Sequence, residues 1–309
     1  MNENTILKIE DVSVIYENGK GISNFNLNFD KGDFVALVGS NGAGKSTLIN
    51  AISGIQKLNN GRIEFNDKYI TSKYPYNILG FSPQSQVIDW YLTVADNVKL
   101  GLLLAGKKTK EVQSMVDEAL DIVNLKGKQD LSVDQLSGGQ QQRVQIARAI
   151  AHNPYFYLLD EPTTGLDAES SEKFLRYLKS KTENEECAVL LSSHDLTLLE
   201  NYCKKMIYID QGEIVYFGNI KDFVNNNSNR KRYIVEYNGE LDSEVLNELK
   251  VIAKDVVMID ENNNLVLDLD LDVNVSSLIS IIEKNVKLIN IKNENISLRD
   301  TYLNMKGRR

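Results

Sequence analysis

The chain has 309 residues, 42% of them hydrophobic and 25% charged, which is enough for one large domain and a smaller one, each with a buried core. Its formal charge of −8 argues against a nucleic-acid-binding surface, which would show as a basic patch or stripe, and no nucleic acid is expected as a partner. The opening MNENTILKIE lacks a basic stretch followed by an apolar one, and no apolar run approaches the ~18 residues of a membrane span.

Cys187 and Cys203 have no metal-ligand spacing and fit a reducing compartment. The short basic clusters Arg230-Lys231-Arg232 and Arg308-Arg309 are either solvated charges or contacts to anionic lipid. These features place the protein in the cytoplasm, so that any membrane role comes through a partner.

Residues 5 to 38 alternate apolar and polar positions, with Ile6, Ile9, Val12 and Val14, then Phe25, Leu27 and Phe29, which predicts half-buried strands. Tyr16 ends the first of them, as a core aromatic or as a flat face for a base. The run Phe34 to Val38 is a short buried strand that ends at Gly39. A loop, Ser40, Asn41, Gly42, Ala43 and Gly44, opens onto a helix from Lys45 to Ile52. Gly39 to Ser46 fits G-x-x-x-x-G-K-[ST]: loop N–H groups and the helix dipole cradle phosphates, Lys45 reaches the β- and γ-phosphates, and the Ser46 hydroxyl meets Mg²⁺. Thr47 continues the helix.

Asn59-Asn60-Gly61 marks a turn before a strand expected over Arg62 to Ile70. Gln84, after Phe81-Ser82-Pro83, is either a boundary residue or an amide that meets a metal or a water across a cleft. From residue 93 to 124 apolar residues recur three and four apart, predicting two helices separated by Gly106-Lys107-Lys108. The stretch from about Val87 to His152 thus reads as a helical subdomain inserted into an α/β core. Leu136-Ser137-Gly138-Gly139-Gln140 leads into a helix from Val144 to Ala151. Ser137 is a natural N-cap, and the glycines leave N–H groups uncovered, which makes a second anion-ready helix start.

YFYLLDE, residues 155 to 161, is a buried strand ending in adjacent carboxylates. Asp160 suits a Mg²⁺ contact beside a phosphate loop, and Glu161 suits a base for water; a cap or a solvated turn is the structural alternative. The next strand, Cys187 to Leu191, runs into Ser192-Ser193-His194-Asp195, where His194 is structural or part of a site.

Taken together and in order, these motifs resemble the nucleotide-binding subunit of an ABC transporter over roughly the first 220 positions. LSGGQ, at Leu136 to Gln140, matches the family's signature in full. The resemblance implies an α/β P-loop NTPase core of ABC type, with an inserted helical subdomain and an antiparallel β subdomain. It implies ATP and Mg²⁺ as ligands. Tyr16 would stack on adenine and Ser40 to Thr47 would wrap the phosphates. Gln84 would sense Mg²⁺ and the attacking water, and would lie where a membrane subunit docks. Asp160 would hold Mg²⁺ through water, Glu161 would be the general base, and His194 would hold the γ-phosphate and the water in line. Ser137, Gly138, Gly139 and Gln140 would cap the γ-phosphate held by the opposite subunit of a head-to-tail homodimer, and Gly165-Leu166-Asp167 would cross that interface. The resemblance also implies a separately encoded transmembrane permease and a position on the cytoplasmic face of the membrane.

The expected domains are 1–224 for the ATPase, 225–230 for a linker at Asn225-Asn226-Asn227-Ser228-Asn229, and 231–309 for a small α+β domain. In that domain Tyr233 to Tyr237, Leu265 to Asp272 and Val286 to Ile291 read as strands. Ser243 to Lys254 and Val275 to Glu283 read as helices, with a last short helix opening at Ser297 like a capping box. This β-α-β-α-β order contains no nameable site, and Asp268, Asp270 and Asp272 read as the wet side of a strand, with a bound cation as the alternative. The ending ISLRDTYLNMKGRR resembles C-terminal extensions of exporter ATPases, which favours export. The alternative is a soluble ABC ATPase that regulates or drives a ribosomal, nucleic-acid or protein machine. A GTPase would need Asn-Lys-x-Asp, which the sequence lacks.

Overall fold

The computed structural model describes residues 1–309 apart from 71–76, 185, 228–229, 260–262, 271–272 and 308–309. The terminal arginines, Ser228 and Asn229 of the polar run, and Asp272 of the acidic strand therefore lie outside the described residues. The chain separates into two compact units, Met1–Ile220 and Lys221–Arg309.

The first unit opens with β1 (Thr5–Ile15), β2 (Gly21–Asp30), β3 (Phe34–Gly39), α1 (Lys45–Ile52) and β4 (Asn60–Phe65). β1 pairs antiparallel with β2 on one edge and with β4 on the other. Phe25, Leu27 and Phe29 are buried while Asn26 and Asn28 between them are exposed, as a strand with one wet face requires. The strand expected over Arg62 to Ile70 stops at Phe65. The Asn66 side chain accepts the Lys68 N–H and turns the chain into a single 3-10 turn, Asp67–Tyr69.

There follow β5 (Leu79–Ser82), α2 (Val94–Leu104), α3 (Thr109–Ile122), α4 (Gly138–Ile150), β6 (Phe156–Asp160), α5 (Ala168–Glu183), β7 (Ala188–Ser192), α6 (Leu196–Tyr202), β8 (Lys205–Asp210) and β9 (Glu213–Asn219). The second sheet runs β5-β6-β7-β3-β8-β9, parallel except for β9. β3, β6 and β7 are buried at every position, as strands covered on both faces must be. Parallel pairing sends the carboxyl ends of β5, β6, β7 and β3 to one edge, where open α/β sheets bind ligands. Phe25 and Phe29 of β2, Leu48 and Ile49 of α1, and Val35 and Leu37 of β3 share one core, which fixes the β3–α1 loop between the two sheets.

The helical insert has its two helices on either side of Gly106–Lys108, and α2 packs on both α3 and α4. α4 starts at Gly138, well before the apolar period at Val144. Its first turns bury Gln141, Gln142 and Gln145, so a hydrophobic pattern does not reveal the inner face. Gln141 is satisfied by donating to the carbonyls of Val133 (3.3 Å) and Leu136 (3.0 Å).

His152, just beyond α4, is 5% exposed. Burial, with Lys107 nearby, pushes its pKa down to about 4, against ~6.5 in an unfolded chain. Between those values the unfolded state binds more protons, so stability falls as pH falls through that window, by about 2–3 kcal/mol at pH 4.5. Urea melts at pH 7 and 4.5 should show His152→Leu losing less stability on acidification than wild type by that margin; equal losses would rule out the buried neutral imidazole as the cause.

The second unit begins within α7 (Ile220–Asn227), so Asn225 to Asn227 are helical where a linker was expected. Phe223 and Val224 are buried, and the Asn227 amide donates to the Phe223 carbonyl at 2.8 Å. The rest is β10 (Arg230–Asn238), α8 (Ser243–Ile252), β11 (Ala253–Ile259), β12 (Asn264–Asp270), α9 (Val275–Ile282), β13 (Lys287–Glu294) and α10 (Leu298–Gly307). Its antiparallel sheet, β11-β12-β10-β13, buries Tyr233, Val235, Leu265 and Leu267 against Val245 and Leu249 of α8 and Leu278 and Ile282 of α9. The order is the β-α-β-β-α-β of ferredoxin-like domains, with one strand more than the sequence pattern predicts. β11 begins at Ala253, so Lys254 belongs to a strand and not to the preceding helix.

Asp268 is not on a wet face. It is 6% exposed, and Arg232 donates Nε to its Oδ1 (2.7 Å) and Nη2 to its Oδ2 (2.9 Å), with Nη1 on Asp300 (2.7 Å). Asp300 also accepts the Ser297 hydroxyl, and Ser297 accepts the Asp300 N–H, which caps α10. One residue of the basic cluster and one of the acidic face are thus partners in a bidentate pair.

Candidate active site

At the carboxyl end of β3 the chain turns into α1 through Gly44, at φ 114°. A Cβ there would stand 2.6 Å from Cγ2 of Ile22, so the position accepts only glycine. Gly44 supplies no side-chain cap to α1, and the first turn holds no acid. In contrast α2, α4, α5 and α6 are capped by the side chains of Thr93, Ser137, Asp167 and Asp195. With no side-chain cap and no acid at its start, α1 turns the positive end of its helix dipole toward this end of the sheet, which favours an anion. Lys45 Nζ donates to the carbonyls of Gly39 (2.8 Å) and Ser40 (3.2 Å), which holds the ammonium over the loop.

A cavity of about 490 Å³ lies in front of this helix start. Asn41, Gly42, Gly44, Lys45, Ser46 and Thr47 line it, as do Tyr16, Gln84, Asp160, Glu161 and His194. Gly39, Ser40 and Ala43 do not, and Ala43 is buried in the core. Asn18, Lys20 and Gly21, which sequence reasoning passed over, complete the wall beside Tyr16. The Tyr16 hydroxyl stands 3.5 Å from Thr47 Oγ1.

The end of β6 brings the carboxylates to this cavity, and β7 beside it supplies Ser192 in register with Asp160. Asp160 accepts the Ser192 hydroxyl at 2.5 Å on one oxygen and the Ser46 hydroxyl at 3.2 Å on the other. Ser192 Oγ also accepts the Glu161 N–H at 2.9 Å. Glu161 holds φ 51°, in the left-handed region, which costs a non-glycine residue ~1–3 kcal/mol and is common at functional sites. The role of Ser192 was not read from the sequence; its one signal is that it ends the strand that leads to His194. Glu161 is 5% exposed, with Oε1 at 3.4 Å from Nε2 of the exposed His194. Burial raises the Glu161 pKa, Asp160 adds to the rise, and His194 and Lys45 oppose it.

Ser137 to Gln140 lie outside this cavity. The start of α4 is less open than the motif suggests, because a capping box pairs the Gln140 N–H with Ser137 Oγ (3.4 Å) and the Ser137 N–H with Gln140 Oε1 (3.1 Å). Gly138 faces open space. A Cβ on Gly139 would stand 2.3 Å from the Gly165 carbonyl oxygen, so that glycine lets the 165–167 loop close on the helix. Arg143 then holds the loop, 3.2 Å from Asp167 and 3.3 Å from the Ser170 hydroxyl.

Among the described residues no cluster of three His, Cys, Asp or Glu side chains could hold a metal alone. The adjacent Ser46 hydroxyl and Asp160 carboxylate, beside a helix start suited to phosphate, are the hard-oxygen set that fits Mg²⁺ shared with phosphates. Among the described residues no helix is long and apolar enough to cross a membrane.

The family described as "ABC transporter" matches residues 22–164. The chain is 36% identical over 226 residues to the methionine import ATP-binding protein MetN 1 of Pectobacterium atrosepticum, covering 70% of this chain but only 66% of that protein. It is 37% identical over 232 residues to the phosphonates import ATP-binding protein PhnC of Lactobacillus gasseri, covering 70% of this chain and 89% of that one. Among solved structures it resembles the dimeric bacterial ABC transporter cassette MJ0796, at TM-score 0.62 and 31% identity over 69% of this chain and 98% of that one. A post-hydrolysis dimer of the same cassette bound to ADP and Pi superposes at TM-score 0.61. A helix start without a side-chain cap and a strand edge that carries two carboxylates accord, on this fold, with these likenesses, and the chain belongs to the ABC transporter family as an ATP-hydrolysing, ATP-binding subunit.

Proposed function

We propose that this chain hydrolyses ATP to drive a solute through a separately encoded transmembrane subunit. The observation that carries the reading is the convergence of Lys45, Ser46, Gln84, Asp160, Glu161 and His194, from four adjacent strand ends, on one cavity. ATP would lie with its phosphates on the α1 N-terminus and its base against Tyr16. Ser46 and Asp160 would hold Mg²⁺, which when bound offsets phosphate charge. The raised pKa of Glu161 suits it to take a proton from water. His194, on the solvent side, would orient that water and the γ-phosphate, and Gln84 would stand opposite. The chemistry is in-line attack on the γ-phosphorus, in which the protein mostly positions groups and spreads charge.

The signature residues Ser137 to Gln140 do not reach their own cavity, so they would close that of a second copy in a head-to-tail homodimer. The dimeric MJ0796 cassette supports this pairing. Work under a membrane subunit is supported by cbiO1 of Clostridium perfringens, which is described as part of the transporter complex cbiONQ and resembles this chain at TM-score 0.60. The protein would sit on the cytoplasmic face of the membrane. Export rests on the resemblance of the C-terminal tail alone, and the methionine and phosphonate relatives carry import in their names.

Affinity purification of the full chain from detergent-solubilised membranes of its source tests the proposal. A polytopic protein that co-purifies and stimulates ATP hydrolysis in proteoliposomes supports it. Direction follows from whether solute accumulates on the ATP side. Recovery of ribosomal or regulatory partners in place of a polytopic protein leaves the ATPase and removes transport.

A further inference from the structure

Gln145, on α4 five residues beyond the signature, is fully buried. A buried amide is tolerated only when its donors and acceptor are used. Among the described residues, the hydrogen-bond partners of its side chain all lie on the 82–87 segment. Its Nε2 donates to the Pro83 carbonyl (2.6 Å) and to Ser82 Oγ (3.3 Å), and its Oε1 accepts the Val87 N–H (2.6 Å). Gln84 stands between those anchors, exposed and lining the nucleotide cavity. A second buried amide, Asn97 of α2, grips the next residues by accepting the Asp89 N–H (2.9 Å) and donating to the Asp89 carbonyl (2.9 Å). Gln86 also donates to the Gly138 carbonyl, in the signature itself (3.4 Å).

We infer that Gln145 is a positioning residue for hydrolysis: by holding the backbone on both sides of Gln84 it makes the place of that amide over the nucleotide depend on the signature helix. The inference rests on the role proposed for Gln84. Among the described residues the Gln84 side chain has no hydrogen-bond partner, whereas its flanking backbone is bonded at short distance to a side chain on α4, which begins at Gly138. A shift of α4 would therefore move Gln84 with it.

The test is a double-mutant cycle on the full chain, with Gln145→Met, which keeps volume and removes the bonds, and Gln84→Ala. Gln145→Met should lower kcat about 10- to 100-fold, since displacement of a catalytic group by ~1 Å costs that order, while KM and MgATP affinity hold. In the Gln84→Ala background the same change should cost less than about twofold, because its route to the chemistry is already gone. Gln145→Asn, which keeps the amide but shortens its reach, should follow Gln145→Met and is the second variant should the first fold poorly. An equal loss in both backgrounds, or an unchanged kcat with Gln84 present, overturns the inference. Failure of Gln84→Ala itself to lower kcat removes the underlying role of Gln84, which is a separate result.

Discussion

Glu161→Gln should bind MgATP as tightly as the wild type and turn over ~10²–10⁴-fold more slowly, the usual share of a general base. The substitution is nearly isosteric, and the backbone at φ 51° is held by the Ser192 hydroxyl, which bonds the Glu161 N–H and not its carboxylate. Binding geometry therefore survives while the proton acceptor is lost. The product of that imbalance is an ATP-loaded dimer that cannot reset, seen as a doubling of mass on gel filtration with ATP. The pH profile gives an independent check. Because burial raises the Glu161 pKa, the carboxylate is lost as pH falls through a value above the ordinary glutamate range. Wild-type kcat should drop there, and the residual rate of Glu161→Gln should show no such limb. Turnover by the variant near the wild-type rate, with the acid limb intact, would remove Glu161 from the chemistry.

The elements that carry chemistry were legible because each joins a short apolar strand to residues with one dominant physical use. Val35 to Gly39 must be a buried strand, and Gly44-Lys45-Ser46 after it has few uses besides holding phosphate. The structure places the first as a buried strand and the second at the start of α1. The polar residues that make the site rigid were not legible, because their worth depends on partners distant in sequence. Ser192 is an ordinary strand-end serine until β6 pairs with β7 and sets it beside Asp160. Gln145 looks like a solvent-facing position in a helix rich in glutamine, and only the return of the 82–87 segment shows that it is buried. Asp268 alternates like a wet-face acid until Arg232 crosses from β10. β11 was hidden for a related reason: the helical spacing of Val245, Leu249 and Ile252 runs straight into a strand, with no glycine or proline to mark the change.

Lys45→Met should fail at the earlier step. Its ammonium is already held by the Gly39 and Ser40 carbonyls, so little side-chain freedom would remain to be lost on binding, and in the proposed site its charge would meet the phosphates almost without reorganisation. A hydrogen bond to a charged group is worth ~1.5–3 kcal/mol, and each 1.4 kcal/mol is tenfold in affinity. The variant should therefore bind MgATP about 10- to 100-fold more weakly, measured by titration with a fluorescent ATP analogue. Methionine keeps most of the lysine stem, so packing at the base of the loop changes little and the loss reports charge. The positive end of the α1 dipole remains, with no side-chain cap or acid at its start, which is why binding should weaken and not vanish. The two variants then separate the two halves of the site: Lys45→Met shifts the binding isotherm and forms no ATP-dependent dimer at concentrations that load Glu161→Gln. Unchanged affinity in Lys45→Met would mean that the phosphates do not rest on the β3–α1 loop, and the nucleotide assignment of the whole cavity would fall with it.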